Sequence, residues 1–401
     1  MNATTETLPM QPTTRKAGAP QAWVLILTMF LPILAIIALA PALPTLLDHF
    51  KDVPNANTVV PLLLVVPALF LAIFGGIAGW LTDRFGRRNL ILGAMLLYGC
   101  AGIAPFVLQS FQAVLAGRIL LGIAEAFILT IGNALLADYF AKEEQHKWLM
   151  VQGIVGPFLG TVLLASSGQL AALGWQWPFA LYALTFPILL FGFFHLWEPE
   201  RRTTAETMAT GMPFPWKIVL IFCGVTLGAS IIYFVQVIQF SLVLREIGVM
   251  DQALIGRISG IASIGVPIGA LIFKRNAKHS TPFQLAMVFL LMGIGLLGIG
   301  LSRDYRLCAT MAFFQQVAAG MTIPCLVAWA LSSLPMEHRG RGMGLWSTSF
   351  FIGQFISPLI VSLFRGVTGG LLPAVATFGG ICLTVSVISF LLSRSNATEA
   401  Q

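Results

Sequence analysis

Long apolar stretches alternate with short polar gaps along almost the whole chain. Each stretch contains roughly 20 residues, enough for an α-helix to cross a hydrocarbon core about 30 Å thick. Lipid offers no hydrogen-bond partners to an exposed backbone, so each stretch is expected to be helical. The pattern predicts twelve transmembrane spans, numbered 1 to 12 in chain order: 22–44, 58–81, 89–108, 112–138, 148–170, 175–197, 217–243, 252–273, 283–302, 306–333, 343–364 and 370–393.

Composition indicates the same lipid environment. Apolar residues make up 57% of the chain and charged residues only 10%, against about 25% charged in an ordinary soluble domain. The formal net charge is +7, but Lys and Arg lie mainly in the gaps between spans and form no basic stripe for nucleic acid. The five cysteines form no CxxC pair, which argues against a disulfide framework or a metal site. We therefore expect the lipid bilayer, and no nucleic acid, as a partner.

A central polar segment divides the spans into two sets of six. Residues 198–216 separate 22–197 from 217–393, and these two parts have nearly equal length. Residues 1–21 and 394–401 form the predicted terminal tails. The run that opens span 1 is too long for a signal-peptide core, so we expect it to remain in the mature protein. The predicted fold class is an all-α integral membrane protein with two pseudo-symmetric six-helix halves.

The positive charges indicate which side of the membrane each gap faces. With a cytoplasmic N-terminus, sixteen Lys and Arg residues fall on the cytoplasmic side, five on the outer side and two within spans. An excess of Lys and Arg in cytoplasmic loops is the usual bias of membrane proteins. Both termini are therefore expected in the cytoplasm, and segment 45–57 on the outer side.

The most specific motif follows span 2. It reads Gly79-Trp80-Leu81-Thr82-Asp83-Arg84-Phe85-Gly86-Arg87-Arg88, a Gly-x-Leu-x-Asp-Arg-x-Gly-Arg-Arg pattern in a tight cytoplasmic turn. This pattern resembles the signature loop of the major facilitator superfamily. The resemblance implies a twelve-span transporter in which the loop latches the two halves in the outward-open state.

Residue chemistry suggests how such a latch works. Gly86 permits a sharp turn, and Gly79 permits a close helix contact. Asp83 is expected to accept hydrogen bonds from a neighbouring helix N-terminus, where the helix dipole favours an anion. Asp138, at the cytoplasmic end of span 4, is expected to pair with one of the loop arginines. The predicted latch consists of Gly79, Asp83, Arg84, Gly86, Arg87, Arg88 and Asp138.

Two further motifs extend the resemblance. Arg118 and Gly122 in span 4 are similar to the family's Arg-x-x-x-Gly pattern. Gly156, Pro157 and Gly160 in span 5 resemble part of the antiporter motif of drug:proton exchangers, although two other glycines of that motif are replaced. The resemblance favours the drug:proton antiporter branch and implies a functional monomer in the bacterial inner membrane.

Two ionisable residues within span 4 are candidates for proton coupling. Arg118 and Glu125 are seven residues apart, which places them on one helix face about 10 Å apart along the axis. On its own helix Glu125 has no polar neighbour at the three- and four-residue spacings. Desolvation favours its neutral form, and proton release is expected when the site opens to water or Arg118 approaches. The alternative is a permanently protonated, structural glutamic acid bonded to another helix.

In this family, spans 1, 4, 7 and 10 line a central cavity, so the resemblance implies that polar residues on these spans contact the solute. Tyr233 and Gln236 are three residues apart and share a helix face. Such glutamines can instead tie helices together. These residues suggest an uncharged or amphipathic solute, with Arg118 available to an anion. The predicted cavity residues are Tyr233, Gln236, Gln315, Gln316 and Asn133.

The sequence contains no Gly-rich phosphate loop and no His/Glu metal-ligand spacing, which are common signs of catalysis. We therefore expect no enzyme activity, no cofactor and no metal, with a proton gradient as the energy source. The predicted function is secondary active export of a small drug-like molecule or metabolite. A proton-symport importer of a nutrient remains the alternative. A non-transporting receptor is disfavoured because no sizeable soluble domain is present.

Overall fold

The computed structural model describes residues 16–199 and 213–399. Within those ranges, twelve helices are long and apolar enough to cross a membrane. They are Ala19–Ile37, Ala56–Phe85, Arg88–Phe106, Phe111–Tyr139, Lys142–Leu173, Trp177–His195, Trp216–Glu246, Gln252–Asn276, Thr281–Leu301, Tyr305–Ser333, Met336–Thr368 and Leu371–Ser395. They correspond in order to spans 1 to 12, so the predicted all-α fold with twelve spans is confirmed and only span ends differ.

Span 1 is shorter than predicted, because its helix ends at Ile37 and gives way to turns over 38–42. Pro41 explains the break: it has no backbone N–H, and its ring clashes with the carbonyl four residues earlier, which is that of Ile37. A short helix, Leu43–His49, then begins with Pro44 in its first turn, where proline is well tolerated. The continuous helix over 22–44 was therefore a wrong prediction.

Part of the predicted domain organisation lies outside the described residues. This applies to most of the N-terminal tail 1–21 and to 200–212 of the central segment. On either side of that segment, spans pack within their own set of six: span 2 packs on span 4 in the first half, and span 9 on span 12 in the second.

Hydrogen bonds that join the two halves cluster toward the predicted outer ends of the spans. Thr58 at the start of span 2 bonds to Ser362 near the end of span 11, with 2.7 Å between their hydroxyl oxygens. Arg245 at the end of span 7 pairs with Asp48, with 2.7 Å between Nη1 and Oδ2. These bonds hold the predicted outer face closed.

Span 5 packs on span 8 along a line of small residues that also joins the halves. Thr161 and Ser263 share a hydrogen bond of 2.8 Å. Farther toward the predicted outer face, Gly168 and Gly256 bring the two backbones together, and a β-carbon on Gly256 would lie only 2.6 Å from Cα of Gly168. At the predicted cytoplasmic end, Gly153 and Gly156 of span 5 have no atom within 4 Å of such a β-carbon. The halves thus approach closely on the predicted outer side and separate toward the predicted cytoplasmic side.

Candidate functional site

Span 4 holds the two candidate coupling residues inside the first half. Its helix begins after Ser110, whose hydroxyl accepts a hydrogen bond from the backbone N–H of Ala113 at 3.3 Å. Arg118 lies two turns into the helix and is only 2% exposed; Glu125 is 3% exposed. A cation and a carboxyl are therefore both buried in an apolar bundle, where ionisable groups are costly and commonly functional.

Arg118 donates to backbone carbonyls that their own helices leave free. Its Nε lies 2.7 Å from the carbonyl oxygen of Leu63 in span 2. Four residues after Leu63 comes Pro67, which has no N–H to donate to that carbonyl. Nη2 lies 2.8 Å from the carbonyl oxygen of Ala35 in span 1. Leu39, four residues after Ala35, donates instead to Ile36 because the helix is breaking there. Arg118 therefore satisfies two breaks in neighbouring helices.

Tyr182 of span 6 completes the arginine's hydrogen bonds. Its hydroxyl oxygen lies 2.6 Å from Nη1 of Arg118 and itself donates to the carbonyl of Ala35 at 2.9 Å. With all three guanidinium nitrogens engaged, Arg118 is not available to an anionic solute in this conformation. The predicted availability of Arg118 to an anion is wrong for this conformation, because two backbone carbonyls and the hydroxyl of Tyr182 already accept its hydrogen bonds.

Glu125 has no comparable set of partners. Its Oε1 is buried and accepts no hydrogen bond from any residue the structure describes. Arg118 and the hydroxyls of Tyr98 and Tyr182 lie within electrostatic range of the carboxyl, but the arginine's hydrogen bonds go elsewhere. A buried, unpartnered carboxyl oxygen is costly when charged. The local arrangement therefore leaves the carboxyl as a group that can hold a proton without breaking other bonds.

In the predicted latch, several members bond within the first half. Arg87 forms an ion pair with Asp138, and Arg88 donates to the carbonyls of Phe193 and Leu196 at the end of span 6, each at 2.7 Å. These contacts tie spans 3, 4 and 6 together at the predicted cytoplasmic end.

Asp83 and Gly79 do not make the contacts expected of them. Asp83 is exposed, and no hydrogen bond or ion pair joins it to another described residue. Glu198 instead accepts the backbone N–H groups of Arg87 and Arg88 at 2.8 Å each, at the N-terminus of span 3 where the dipole favours an anion. For Gly79, the nearest atom to an added β-carbon is 3.9 Å away, so no close helix contact requires this glycine here. Arg84 lies over the rings of Trp80 and Phe85.

Gly86 does provide the sharp turn. Its φ of 90° and ψ of 171° belong to a region that residues with a β-carbon rarely enter. A β-carbon there would lie 2.9 Å from Oε1 of Glu198. Gly86 thus makes room for the carboxylate that caps span 3.

Of the predicted cavity residues, two bond to each other. Nε2 of Gln316 in span 10 donates to Oε1 of Gln236 in span 7 at 2.5 Å. Both glutamines are buried, so they tie helices together. Tyr233 is partly buried and packs edge-on against Phe234 and Phe350.

Gln315 and Asn133 differ from the prediction more clearly. Gln315 is fully buried, its two amide atoms have no hydrogen-bond partner among the described residues, and it packs against Gly295 of span 9. It therefore faces the interior of the second half, and its prediction as a cavity residue is wrong because residues 315 and 316 point about 100° apart around the helix. Asn133 is exposed and donates to the carbonyl of Leu129 in its own helix.

The three residues of the antiporter-like motif have different surroundings. Gly156 has no neighbour within 4 Å of an added β-carbon, whereas a β-carbon on Gly160 would lie 3.2 Å from Ile37 at the end of span 1. The carbonyl of Pro157 accepts a hydrogen bond from the hydroxyl of Thr161, one turn later in the same helix, at 3.0 Å. Gly160 therefore faces the broken end of span 1, whereas Gly156 does not.

Sequence reasoning missed the tyrosines and serines that surround these groups. Tyr98 donates to the carbonyl of Leu31 at 2.5 Å, and Ser167 donates to that of Ala38 at 2.6 Å. A carbonyl acceptor is a backbone atom, so the residue type does not reveal it. The residues that could have indicated these bonds were the prolines inside spans 1 and 2 and the tyrosines in otherwise apolar runs.

Comparison with known proteins identifies the class. The family model described as Major Facilitator Superfamily matches residues 25–302 and 250–401, and the chain belongs to this superfamily of membrane transport proteins. It is a multi-pass membrane protein. The quinolone resistance protein NorA of Staphylococcus aureus is 23% identical over 357 residues, covering 85% of this chain and 88% of NorA.

Other relatives match over shorter regions. The class H tetracycline resistance protein of Pasteurella multocida is 30% identical over 177 residues, covering 42% of each chain. MdtD of Pectobacterium carotovorum is 22% identical over 192 residues, and the match spans 39% of its length and 47% of this chain.

Solved structures show the same fold at low identity. A D-xylose-proton symporter aligns with a TM-score of 0.73 and 14% identity, covering 92% of this chain and 96% of the symporter. A bacterial homologue of the human lysosomal transporter Spinster, in an inward-facing, unoccupied conformation, aligns with a TM-score of 0.68 and 15% identity, covering 94% and 98%. At these identities the likeness concerns the fold alone.

Proposed function

We propose that the protein is a secondary active transporter that exports a small drug-like molecule or metabolite, driven by the proton gradient across the bacterial inner membrane. It works as a monomer with both termini in the cytoplasm. The two six-helix halves rock about a central site and open it to each side in turn. The resistance proteins among its relatives support export, and the fold supports alternating access.

The observation that supports proton coupling most directly is the buried, unpartnered Oε1 of Glu125. In the closed bundle the carboxyl holds a proton, because an ionised group there has no donor to stabilise it. When the halves separate on the outer or inner side, water reaches the site and the carboxyl exchanges its proton. Arg118 acts as a positioning residue that fixes spans 1, 2 and 6 around the carboxyl.

The solute site lies between the halves, open toward the cytoplasm. Arg118 is fully engaged by these hydrogen bonds, so it is not free to bind an anion in this conformation. Partly buried Tyr233, packed against the ring of Phe350, offers an apolar and aromatic surface. These features favour an uncharged or amphipathic solute over an anion.

The test uses bacterial cells that lack their own efflux pumps. Cells express the wild type, Glu125→Gln or the control Glu144→Gln at matched levels; Glu144 is an exposed carboxyl in the first turn of span 5. Intracellular accumulation of a panel of drugs and metabolites is followed with and without a protonophore. We expect the wild type and the control to lower accumulation, and both Glu125→Gln and the protonophore to abolish that effect.

Two results would change the proposal. If Glu125→Gln exports as well as the wild type and remains sensitive to the protonophore, another group carries the proton. If a compound accumulates more in cells with the wild type than in cells without it, the protein is a proton-symport importer.

A further inference from the structure

The broken end of span 1 presents a row of backbone carbonyls, and donors from four other spans occupy them. Span 4 and span 6 donate to Ala35, as described above. Ser167 of span 5 donates to Ala38 at 2.6 Å. Ser241 of span 7 donates to Ala40 at 2.7 Å, and Nη1 of Arg245 in the same span donates to Pro44 at 3.0 Å.

These donors divide between the two halves at one point in the segment. The carbonyls of Ala35 and Ala38 are bound by side chains of the first half, whereas those of Ala40 and Pro44 are bound by side chains of the second half. The donors therefore change from the first half to the second half between Ala38 and Ala40, inside the turn that follows Ile37. One end of the break is thus anchored beside Arg118, and the other end forms part of the closed outer face.

We propose that segment 38–44 of span 1 transmits changes at the buried Arg118–Glu125 site to the closure of the outer face, with Ser167 and Ser241 as its positioning residues. The inference rests on the proposed alternating-access function. Opening the outer face breaks the bonds of Ala40 and Pro44 to span 7, and the bonds of Ala35 and Ala38 within the first half remain.

The helix break is what makes this arrangement possible. An intact helix binds its own carbonyls to N–H groups four residues later and has little capacity left for outside donors. At the break, the carbonyl of Ala35 loses that donor and depends on side chains from spans 4 and 6. The carbonyls nearest the outer face accept water when the halves separate, so opening leaves no buried polar group unpaired. Ala35 and Ala40 are only five residues apart, so a shift of Ala35 is passed to Ala40 through a short stretch of backbone.

The test measures how often the outer face opens, and it needs no transported solute. The five native cysteines are replaced by alanine, and Val65→Cys is introduced. Val65 is fully buried and lies seven residues, two turns, beyond Thr58 on the face of span 2 that bonds to Ser362. A membrane-impermeant thiol reagent is applied on the outer side of sealed vesicles, and the labelling rate is measured.

Two variants distinguish a segment that transmits a change from one that only contacts the other half. Ser241→Ala removes a bond between the halves, whereas Ser167→Ala removes a bond inside the first half. The control is Ser230→Ala, which removes a buried hydroxyl of span 7 that donates to Phe350 within the second half at 2.6 Å. We expect labelling to become about fivefold faster in Ser241→Ala, as the loss of one hydrogen bond between the halves implies. Labelling should also become faster in Ser167→Ala, because segment 38–44 is then no longer anchored to the first half, and should stay unchanged in the control.

An unchanged rate in Ser241→Ala overturns the proposal, because span 1 would then have no part in closure. A faster rate in Ser241→Ala alone also overturns it, since segment 38–44 would then be a contact and not a transmitting element. Failure of drug export or of proton coupling would leave these labelling rates as they are, so the two proposals fail separately.

Discussion

Gly168 of span 5 and Gly256 of span 8 meet where the two halves approach, and neither position leaves space for a side chain. A β-carbon on Gly256 would lie 2.6 Å from Cα of Gly168 and 3.1 Å from the carbonyl of Ala165. Small residues allow membrane helices such close backbone contact. This pair therefore lets the two halves pack closely on the predicted outer side.

We predict that Gly256→Leu prevents full closure. Overpacking of this kind costs about 1–3 kcal/mol, so outer labelling of Val65→Cys should rise by about tenfold and solute export should fall. Gly380→Leu is the matched control, because a β-carbon at Gly380 of span 12 meets no atom within 4 Å. Normal export and labelling in Gly256→Leu would show that the contact is not needed for closure.

Arg118→Lys is predicted to destabilise the first half. A lysine offers its donors from one atom and cannot reach Leu63, Ala35 and Tyr182 together. The loss of two charge-assisted bonds should lower the free energy of unfolding by about 3 kcal/mol. Thermal unfolding in detergent measures the change.

Two further variants test that explanation. Tyr182→Phe removes one hydroxyl and should cost about 1 kcal/mol. Arg257→Lys, at an exposed arginine of span 8, should melt like the wild type. If Arg118→Lys also melts like the wild type, the carbonyl contacts of Arg118 contribute little to stability.

Gly86→Ala is predicted to destabilise the loop between spans 2 and 3. The backbone conformation at Gly86 costs a residue with a β-carbon about 1–3 kcal/mol, and the new methyl group displaces Glu198 from the N-terminus of span 3. The melting temperature should fall, whereas it should hold or rise slightly for Gly93→Ala, at an open helical position. Equal melting temperatures for the two variants would contradict the prediction.

The bond between Gln316 and Gln236 is predicted to couple spans 7 and 10. A double-mutant cycle with Gln316→Leu and Gln236→Leu, followed by thermal unfolding, should give a coupling energy of about 0.6 kcal/mol, the usual size of such bonds within membranes. Additive effects of the two substitutions would indicate that the glutamines act independently.

The positions of the spans could be predicted from the sequence because run length and apolarity alone decide them. The break after Ile37 could not, since the run stays apolar through it, although Pro41 was a usable signal. The isolation of Glu125 on its own helix was visible in the sequence, but Tyr98 and Tyr182 come from other helices. The partners of Arg118 are carbonyl oxygens, which every residue has, so no residue type reveals them.

At the break in span 1 the acceptors are backbone atoms, so the residues that supply them need only be small enough to fit. Ala38 and Ala40 can be exchanged for serine or glycine without removing a bond, while Ser167 and Ser241, far away in the sequence, cannot lose their hydroxyls. A survey of substitutions would therefore find the segment variable and its donors restricted, and a search for invariant positions would overlook the segment itself.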